Sequence, residues 1–321
     1  MGRSLLHQVK GVWAASGILV AGGSRCALKQ DARDRLQAAG VGATSARIAE
    51  LTPISSYRTY DAYKAVSLDF ARFAMSQGVQ RVQDLRPAHA KAFMLAKLAE
   101  GRSCNTLRTY SAALGKFDFA LASAPRRMHI PAEACLSPGL EAARQRCNRQ
   151  APRLDTNRRA YTNPHGLVGA VQEDAHQLGA RLQLTAGFRV SEVMALGRAD
   201  LRGETFDPVS GAPVGLVHVV GKGGFERIQF VPQAEYHALA SHLDQHAGGM
   251  GISYKPYLRD LRQASDTTGQ HWGGSHGLRH NYVRGFVLEA SQAGLGSDAL
   301  MHEAMERVGH HRVSELRTYC R

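Results

Sequence analysis

The chain has 321 residues, enough for two compact domains, and 44% of them are hydrophobic, which excludes disorder of the whole chain. Lysine and arginine number 40 against 27 acidic residues, a net charge of +13 with histidine neutral, so a polyanion is the first partner to consider, nucleic acid or an anionic membrane surface. The five cysteines, at 26, 104, 135, 147 and 320, show no CxxC spacing, which argues against a disulfide framework or a cysteine-based zinc site and fits a reducing cytoplasm.

Residues 1–48 read as an N-terminal extension with scattered basic residues (Arg3, Lys10, Arg25, Lys29, Arg33, Arg35). A DNA-binding arm, a helical lid and an ordinary extension stay open for it. No apolar run reaches the roughly 18 residues that a membrane-spanning helix needs. Residues 11–23 (GVWAASGILVAGG) have the length of a signal-peptide core behind Lys10, but Arg25 directly before Cys26 spoils a lipoprotein-type cleavage site.

Residues 49–125 turn helical. Tyr63, Val66, Phe70 and Phe73 recur at helical spacing, as do Leu107, Tyr110, Leu114, Phe117 and Leu121, with Gly78 and Pro87 as breaks and Ser103 as a candidate cap. A small helical bundle is expected, its polar faces carrying Arg58, Lys64, Arg72, Arg81, Arg86, Lys91, Lys97, Arg102, Arg108 and Lys116. That excess of one sign suits DNA backbone contact; a solvated face is the plain alternative. Residues 126–165, interrupted by four prolines and rich in arginine, read as a basic linker. Beyond 166 a second domain begins. Residues 167–184 are helix-like, 216–220 and 228–231 are β-rich runs joined as a hairpin through Gly221-Lys222-Gly223-Gly224, and 234–246, 254–265, 278–290 and 298–307 are helix-like again.

Four short segments of this second domain stand out: 185–192 (TAGFRVSE), 220–224 (VGKGG), 276–280 (HGLRH) and 308–310 (VGH), with Tyr319 nine residues after His310. Two guanidiniums grip a phosphodiester through charge-assisted hydrogen bonds and stabilise a pentacoordinate transition state. A lysine protonates a leaving oxygen, and a histidine moves a proton near neutral pH. A phenol with an ordinary pKa of about 10 attacks more readily amid positive charge. Such a set needs no metal, since the arginines supply the positive charge.

Arg189 and Glu192 lie three apart, so Glu192 is placed to hold the guanidinium from behind; His276 and Arg279 share that spacing. His310 and Tyr319 would fall on opposite faces of one unbroken helix, so a bend is expected between them. Each feature alone has a bland reading, as a surface pair, a hairpin lysine or a terminal aromatic. Residues 220–224 lack the Ser or Thr and the following helix of a nucleotide-binding loop. His276 and His280 at a four-residue spacing lack the further ligands of a metal site. His280 reads as a buried structural histidine, His311 is an alternative to His310, and Tyr161 and Tyr282 are alternative nucleophiles.

Taken in order, the segments resemble the signature of the tyrosine recombinases, the phage-type integrase family: Arg189 with Glu192, hairpin Lys222, His276 with Arg279, Gly309 with His310, and Tyr319. The motifs cover about 166–321, and residues 103–110 (SCNTLRTY) resemble a stretch of the family's helical core-binding domain. The resemblance implies a mainly α protein with a small antiparallel β-sheet in the catalytic domain, arranged as a two-domain C-shaped DNA clamp: extension 1–48, core-binding domain 49–125, linker 126–165, catalytic domain 166–321. It implies Tyr319 as nucleophile forming a 3′-phosphotyrosine, with Arg189, Arg279 and His310 on the phosphate, Lys222 protonating the 5′ oxygen, His276 assisting at the tyrosine and Glu192 behind Arg189.

No cofactor or metal is expected. The implied partners are double-stranded DNA, a homotetramer on two DNA sites and accessory DNA-bending or directionality proteins, with no membrane; the implied setting is a prokaryotic or phage-encoded protein at the nucleoid in the cytoplasm. The implied role is integration or excision of a phage or genomic island. A non-catalytic DNA-binding relative and a type IB topoisomerase-like enzyme are the alternatives. Three features depart from the family pattern, one of them the flexible Gly223-Gly224 of the hairpin, which would leave Lys222 loosely placed until DNA binds. Only Cys320 and Arg321 follow Tyr319 in this sequence, where many relatives have a docking segment, and residues 280–309 are long enough to expect a loop or extra turn around Gly294 and Gly296.

Overall fold

The structure, a computed structural model, describes residues 4–22, 24–124, 130–131, 134–153, 159–221, 224–247 and 249–309, apart from the side chains of residues 45 and 46. Lys222, His310, His311 and Tyr319 lie outside the described residues. The chain divides into two compact units, residues 1–154 and 155–321.

The first unit is helical: α1 (Leu5–Ala15), α2 (Arg25–Ala38), α3 (Ser45–Leu51), α4 (Tyr57–Ser76), α5 (Pro87–Ala99), α6 (Cys104–Ala122) and α7 (Ser137–Gln150). Helix α4 stops before Gly78, α5 starts on Pro87, and Ser103 caps α6 by accepting from the Thr106 amide at 3.3 Å. Phe93 anchors the core, with ring centroids 5.5 Å from Phe70, 5.6 Å from Phe73 and 6.0 Å from Tyr110.

Two elements of this core were not expected there. The apolar face of α1, Leu5, Val9, Val12 and Trp13, is buried, with Trp13 5.2 Å from Tyr60 and stacked 6.2 Å from Phe117. Residues 5–15 are therefore a packed helix and not a free arm; their i, i+4, i+7, i+8 spacing is the physical reason. Helix α7, within the stretch expected as linker, packs on α5 and buries Leu140, Ala143 and Cys147. Asp118 of α6 holds its start, accepting from the Leu136 and Ser137 amides at 2.6 and 3.1 Å.

The basic faces also divide. Lys97 pairs with Asp69 and Glu100, each at 3.0 Å, Arg81 with Asp84, and Arg102 with Glu100. Arg86 donates to the Gln83 and Leu85 carbonyls, and Lys116 donates to the Glu50 and Thr52 carbonyls at the end of α3. Arg58, Arg72, Lys91 and Arg108 are exposed.

In the second unit the run expected as one helix over 167–184 is two, α8 (Pro164–Gly169) and α9 (Asp174–Thr185). Asp260 makes the break favourable by accepting from the amides of Gln172 and Glu173 at 3.1 and 3.2 Å, and its carboxylate lies 2.9 Å from His176 Nδ1. The short α10 (Val190–Val193) leads to a three-stranded antiparallel sheet, β1 (Leu201–Phe206), β2 (Pro213–Val220) and β3 (Glu226–Pro232), in that order. The β2–β3 hairpin matches expectation; β1, exposed along most of its length, carries no alternation that would mark it as a strand.

Helices α11 (Gln233–Gln245), α12 (Tyr254–Thr267), α13 (Ser275–Gln292) and α14 (Ser297–Val308) follow, with residues 293–296 forming the turn expected near Gly294. One core joins Leu178, Leu182, Phe188, Val217, Val231, Leu239 and Leu261. A smaller one joins α13 and α14 through Val283, Phe286, Leu300 and Val308.

Candidate active site

The site is built where the end of α9, the start of α10, β3, α13 and the end of α14 meet. Gln183 of α9 is buried, accepts from the Tyr257 hydroxyl at 2.5 Å and donates to the Phe188 carbonyl at 3.2 Å. This fixes residues 186–189. Gly187 has φ +68°, and a Cβ there would lie 2.3 Å from the Tyr282 ring, so glycine is required on both counts. Arg189 then sits just before α10, and its backbone amide donates to Glu192 at 2.8 Å while its Nη1 donates to the same carboxylate at 2.6 Å.

Glu192 is buried and carries more than this pair. Arg227 of β3 donates to Oε1 and Oε2 at 3.1 and 2.9 Å, and Arg279 Nη1 lies 4.0 Å away. Arg279, on α13, is 0% exposed and donates to the Gly187 and Val308 carbonyls. Arg189 Nη2 donates to the Val308 and Gly309 carbonyls at 3.1 and 3.2 Å. Both guanidiniums thus reach the last carbonyl of α14. Gly309 ends that helix in the left-handed region (φ 56°, ψ 48°), and a Cβ there would come within 3.3 Å of Arg227 Nη1.

The electrostatics follow from this crowding. Burial alone would raise the Glu192 carboxyl, but hydrogen bonds and charge from Arg227 and Arg189 outweigh it and hold the group at about 2. His276 goes the opposite way for a cation: burial first, then the charges of Arg279, His280, Arg159 and Arg189, pull it down to about 3. Burial and the arginines therefore keep it neutral at pH 7 and make it a weak base, a state that an anion bound at those arginines would offset. Among the described residues no cluster of His, Cys, Asp or Glu could hold a metal ion.

A Mesorhizobium japonicum protein, tyrosine recombinase XerC, is 26% identical to this chain over 285 residues, covering 82% of the chain and 85% of the relative. The XerH site-specific recombinase, in a pre-cleavage complex with difH substrate, aligns with 98% of this chain and 91% of its own at a TM-score of 0.61 and 12% identity. Its post-cleavage complex on a palindromic difH substrate gives 0.60 at 13% identity over the same shares. The chain is similar to tyrosine recombinases in sequence and in fold. The structural likeness carries the fold, mainly α with a small antiparallel sheet. No protein-family model matches the chain. Among the described residues no helix is long and apolar enough to cross a membrane.

Of the residues that the tyrosine recombinase signature singles out, Arg189, Glu192, His276 and Arg279 come together, and Gly309 lies against Arg189. Arg189 keeps its side chain 20% exposed, whereas Arg279 is enclosed. His280 is buried and held near 4 by burial and neighbouring arginines, in keeping with a structural role. The two described alternative nucleophiles are poorly suited. The Tyr161 hydroxyl donates to the Gly274 carbonyl at 3.1 Å and burial pushes its pKa up to about 12; burial raises Tyr282 as well.

Sequence reasoning missed Arg227. It is buried in β3 opposite Val219, in phase with Gln229 and Val231, while Ile228 is 44% exposed. The usual alternation is inverted over those three residues. The period-2 phase of Val217, Val219 and Val231 is the signal that would have placed Arg227 on the inner face.

Proposed function

We propose that the chain is a site-specific DNA recombinase that cuts and rejoins strands through a 3′-phosphotyrosine. The observation that carries this reading is the pair Arg189 and Arg279 at ionised Glu192, with His276 beside the arginines, at the end of the helix that leads into residue 310. In this reading the Tyr319 oxygen attacks the scissile phosphorus, the bond to the 5′ oxygen breaks, and Lys222 gives that oxygen a proton. His276, whose basicity rises once the phosphate's negative charge offsets the arginines, takes the phenolic proton. Arg189, Arg279 and His310 hold the non-bridging oxygens. A 5′-hydroxyl of the partner strand reverses the step, so the bond energy is conserved and neither metal nor nucleotide is consumed. Pairing of two sites in a tetramer, and service to a phage or genomic island, belong to the same proposal.

The test is covalent capture. Purified protein is mixed with randomly nicked genomic DNA from the organism that encodes the chain, without metal or ATP, and run on a denaturing gel. A slow-migrating adduct that disappears in Tyr319→Phe supports the reading, and sequencing the trapped strands then maps the site. Trapped strands that cluster at the ends of one element support the mobile-element role; strands trapped everywhere point to a topoisomerase-like enzyme. Tight binding without an adduct points to a non-catalytic relative. Affinity for DNA should fall steeply with salt, since many phosphate contacts are expected of a chain with net charge +13.

A further inference from the structure

Three guanidiniums surround one carboxylate in this site, and one of them has no place in the signature. Arg189 shares its donors between Glu192 and the end of α14. Arg227 instead presents both terminal nitrogens to Glu192, one to each oxygen, and its Nε donates to Gln229 at 2.9 Å. Its side chain is 5% exposed, and its three nitrogens are all directed at Gln229 and Glu192. With four hydrogen bonds, two from Arg189 and two from Arg227, the Glu192 carboxylate is saturated. The fork-to-fork geometry makes Arg227 the closer match to that carboxylate.

We propose that Arg227 is a positioning residue that acts as the counterion of Glu192, so that Glu192 orients Arg189 without neutralising it. Three cations and one anion leave a net charge of two positive on Arg189 and Arg279, the pair that faces the phosphate in the recombinase reading on which this inference rests. Without Arg227 the carboxylate would keep only Arg189 and the more distant Arg279, and burial would raise its pKa. The charged groups that face Glu192 are Arg189 at the head of α10, Arg227 on β3 and Arg279 on α13; His276 stands beside the arginines.

The experiment measures the rate of adduct formation from pH 5 to 8 on the captured DNA strands, for the wild-type chain, Arg227→Gln, Arg227→Lys and Glu192→Gln, at a temperature where each is folded. Arg227→Gln is expected to lose about 10- to 100-fold at pH 7.5, and its rate relative to wild type is expected to fall further as pH drops, because the variant protonates Glu192. Arg227→Lys, which keeps the charge, should retain at least ten times the rate of Glu192→Gln with no added pH dependence.

A carbon-13 titration of the Glu192 carboxyl should show its pKa raised in Arg227→Gln and still low in Arg227→Lys. A glutamine variant within twofold of wild type, or equally impaired at every pH with Glu192 still ionised, overturns the inference. If the glutamine variant does not fold, a lysine variant as slow as Glu192→Gln overturns it. A wild-type chain that forms no adduct removes the recombinase reading itself, a result distinguishable from normal wild-type activity with indifferent variants.

Discussion

Arg307 of α14 and Asp207, just past β1, form a buried ion pair in which two guanidinium nitrogens reach the carboxylate at 2.6 and 3.0 Å. The guanidinium also lies 4.9 Å from the Phe230 ring centre and 4.4 Å from that of Phe286, and Glu303 takes its Nε at 2.8 Å. Burial works against the ionised Asp207 carboxyl, but the Arg307 hydrogen bonds prevail and hold its pKa below the ordinary value. The pair ties the helix that ends at Val308 to the sheet. Arg307→Leu or Asp207→Asn should cost about 3–5 kcal/mol, because each leaves a buried partner unmatched. Denaturant unfolding of the second unit's transition reads this directly; a loss below about 1 kcal/mol would mean that the pair contributes no more than a surface bridge.

Acid should destabilise the second unit in two stages. His276 and His280 are held near 3 and 4, below the ordinary value of 6.5, so the unfolded chain binds protons that the folded one refuses. Their contribution is complete above pH 6.5 and is lost as pH falls, up to about 2 kcal/mol from each by pH 5, at about 1.4 kcal/mol per pH unit. Glu192, held at about 2, contributes fully above its ordinary value of 4.5 and loses that contribution as pH falls from there toward 2. Thermal unfolding from pH 7.5 to 5 should therefore show a falling midpoint, and His280→Leu should flatten it. A midpoint that stays level in the wild-type chain would sink the assignment of buried neutral histidines.

The tyrosines should separate cleanly in the capture assay. Tyr161→Phe and Tyr282→Phe should retain the covalent adduct, since both hydroxyls are buried with raised pKa. Tyr161→Phe should cost about 1 kcal/mol of stability through its lost hydrogen bond to Gly274. Tyr319→Phe should abolish the adduct. Loss of the adduct in Tyr161→Phe at unchanged stability would transfer the nucleophile's role.

Trp13 tests whether the N-terminal helix is core or appendage. Its indole is 1% exposed between Tyr60 and Phe117, so Trp13→Ala should cost about 3–5 kcal/mol in the first unit. A detachable arm would tolerate the change with a normal midpoint and lose only affinity for DNA.

Much of this architecture can be read along the chain because its causes are local. Apolar periodicity marks α4 and α6, Ser103 and Pro87 mark helix starts, and a glycine-rich turn between β-branched runs marks the β2–β3 hairpin. Spacing also pairs Arg189 with Glu192. What escapes is nonlocal. Asp260 stands 88 residues from the Gln172 amide that it caps, and its carboxylate divides α8 from α9. Asp118 reaches 18 residues ahead to start α7 within a proline-interrupted basic stretch. Arg227 meets Glu192 across 35 residues from a strand whose inner face is polar at two consecutive inward positions. α1 was hidden for a different reason, because His7, Lys10 and Gly11 interrupt a short apolar stripe.

The Val308 carbonyl receives hydrogen bonds from both Arg189 and Arg279. A ligand oxygen that claims those donors therefore adds little to the total of hydrogen bonds, since it replaces contacts that the chain already makes with itself. Grip at this site is an exchange, and its strength is the difference between an incoming oxygen and the helix's own. The exchange also has an address: whatever displaces that carbonyl releases the end of α14, so occupancy of the arginines is communicated to the backbone immediately ahead of residue 310.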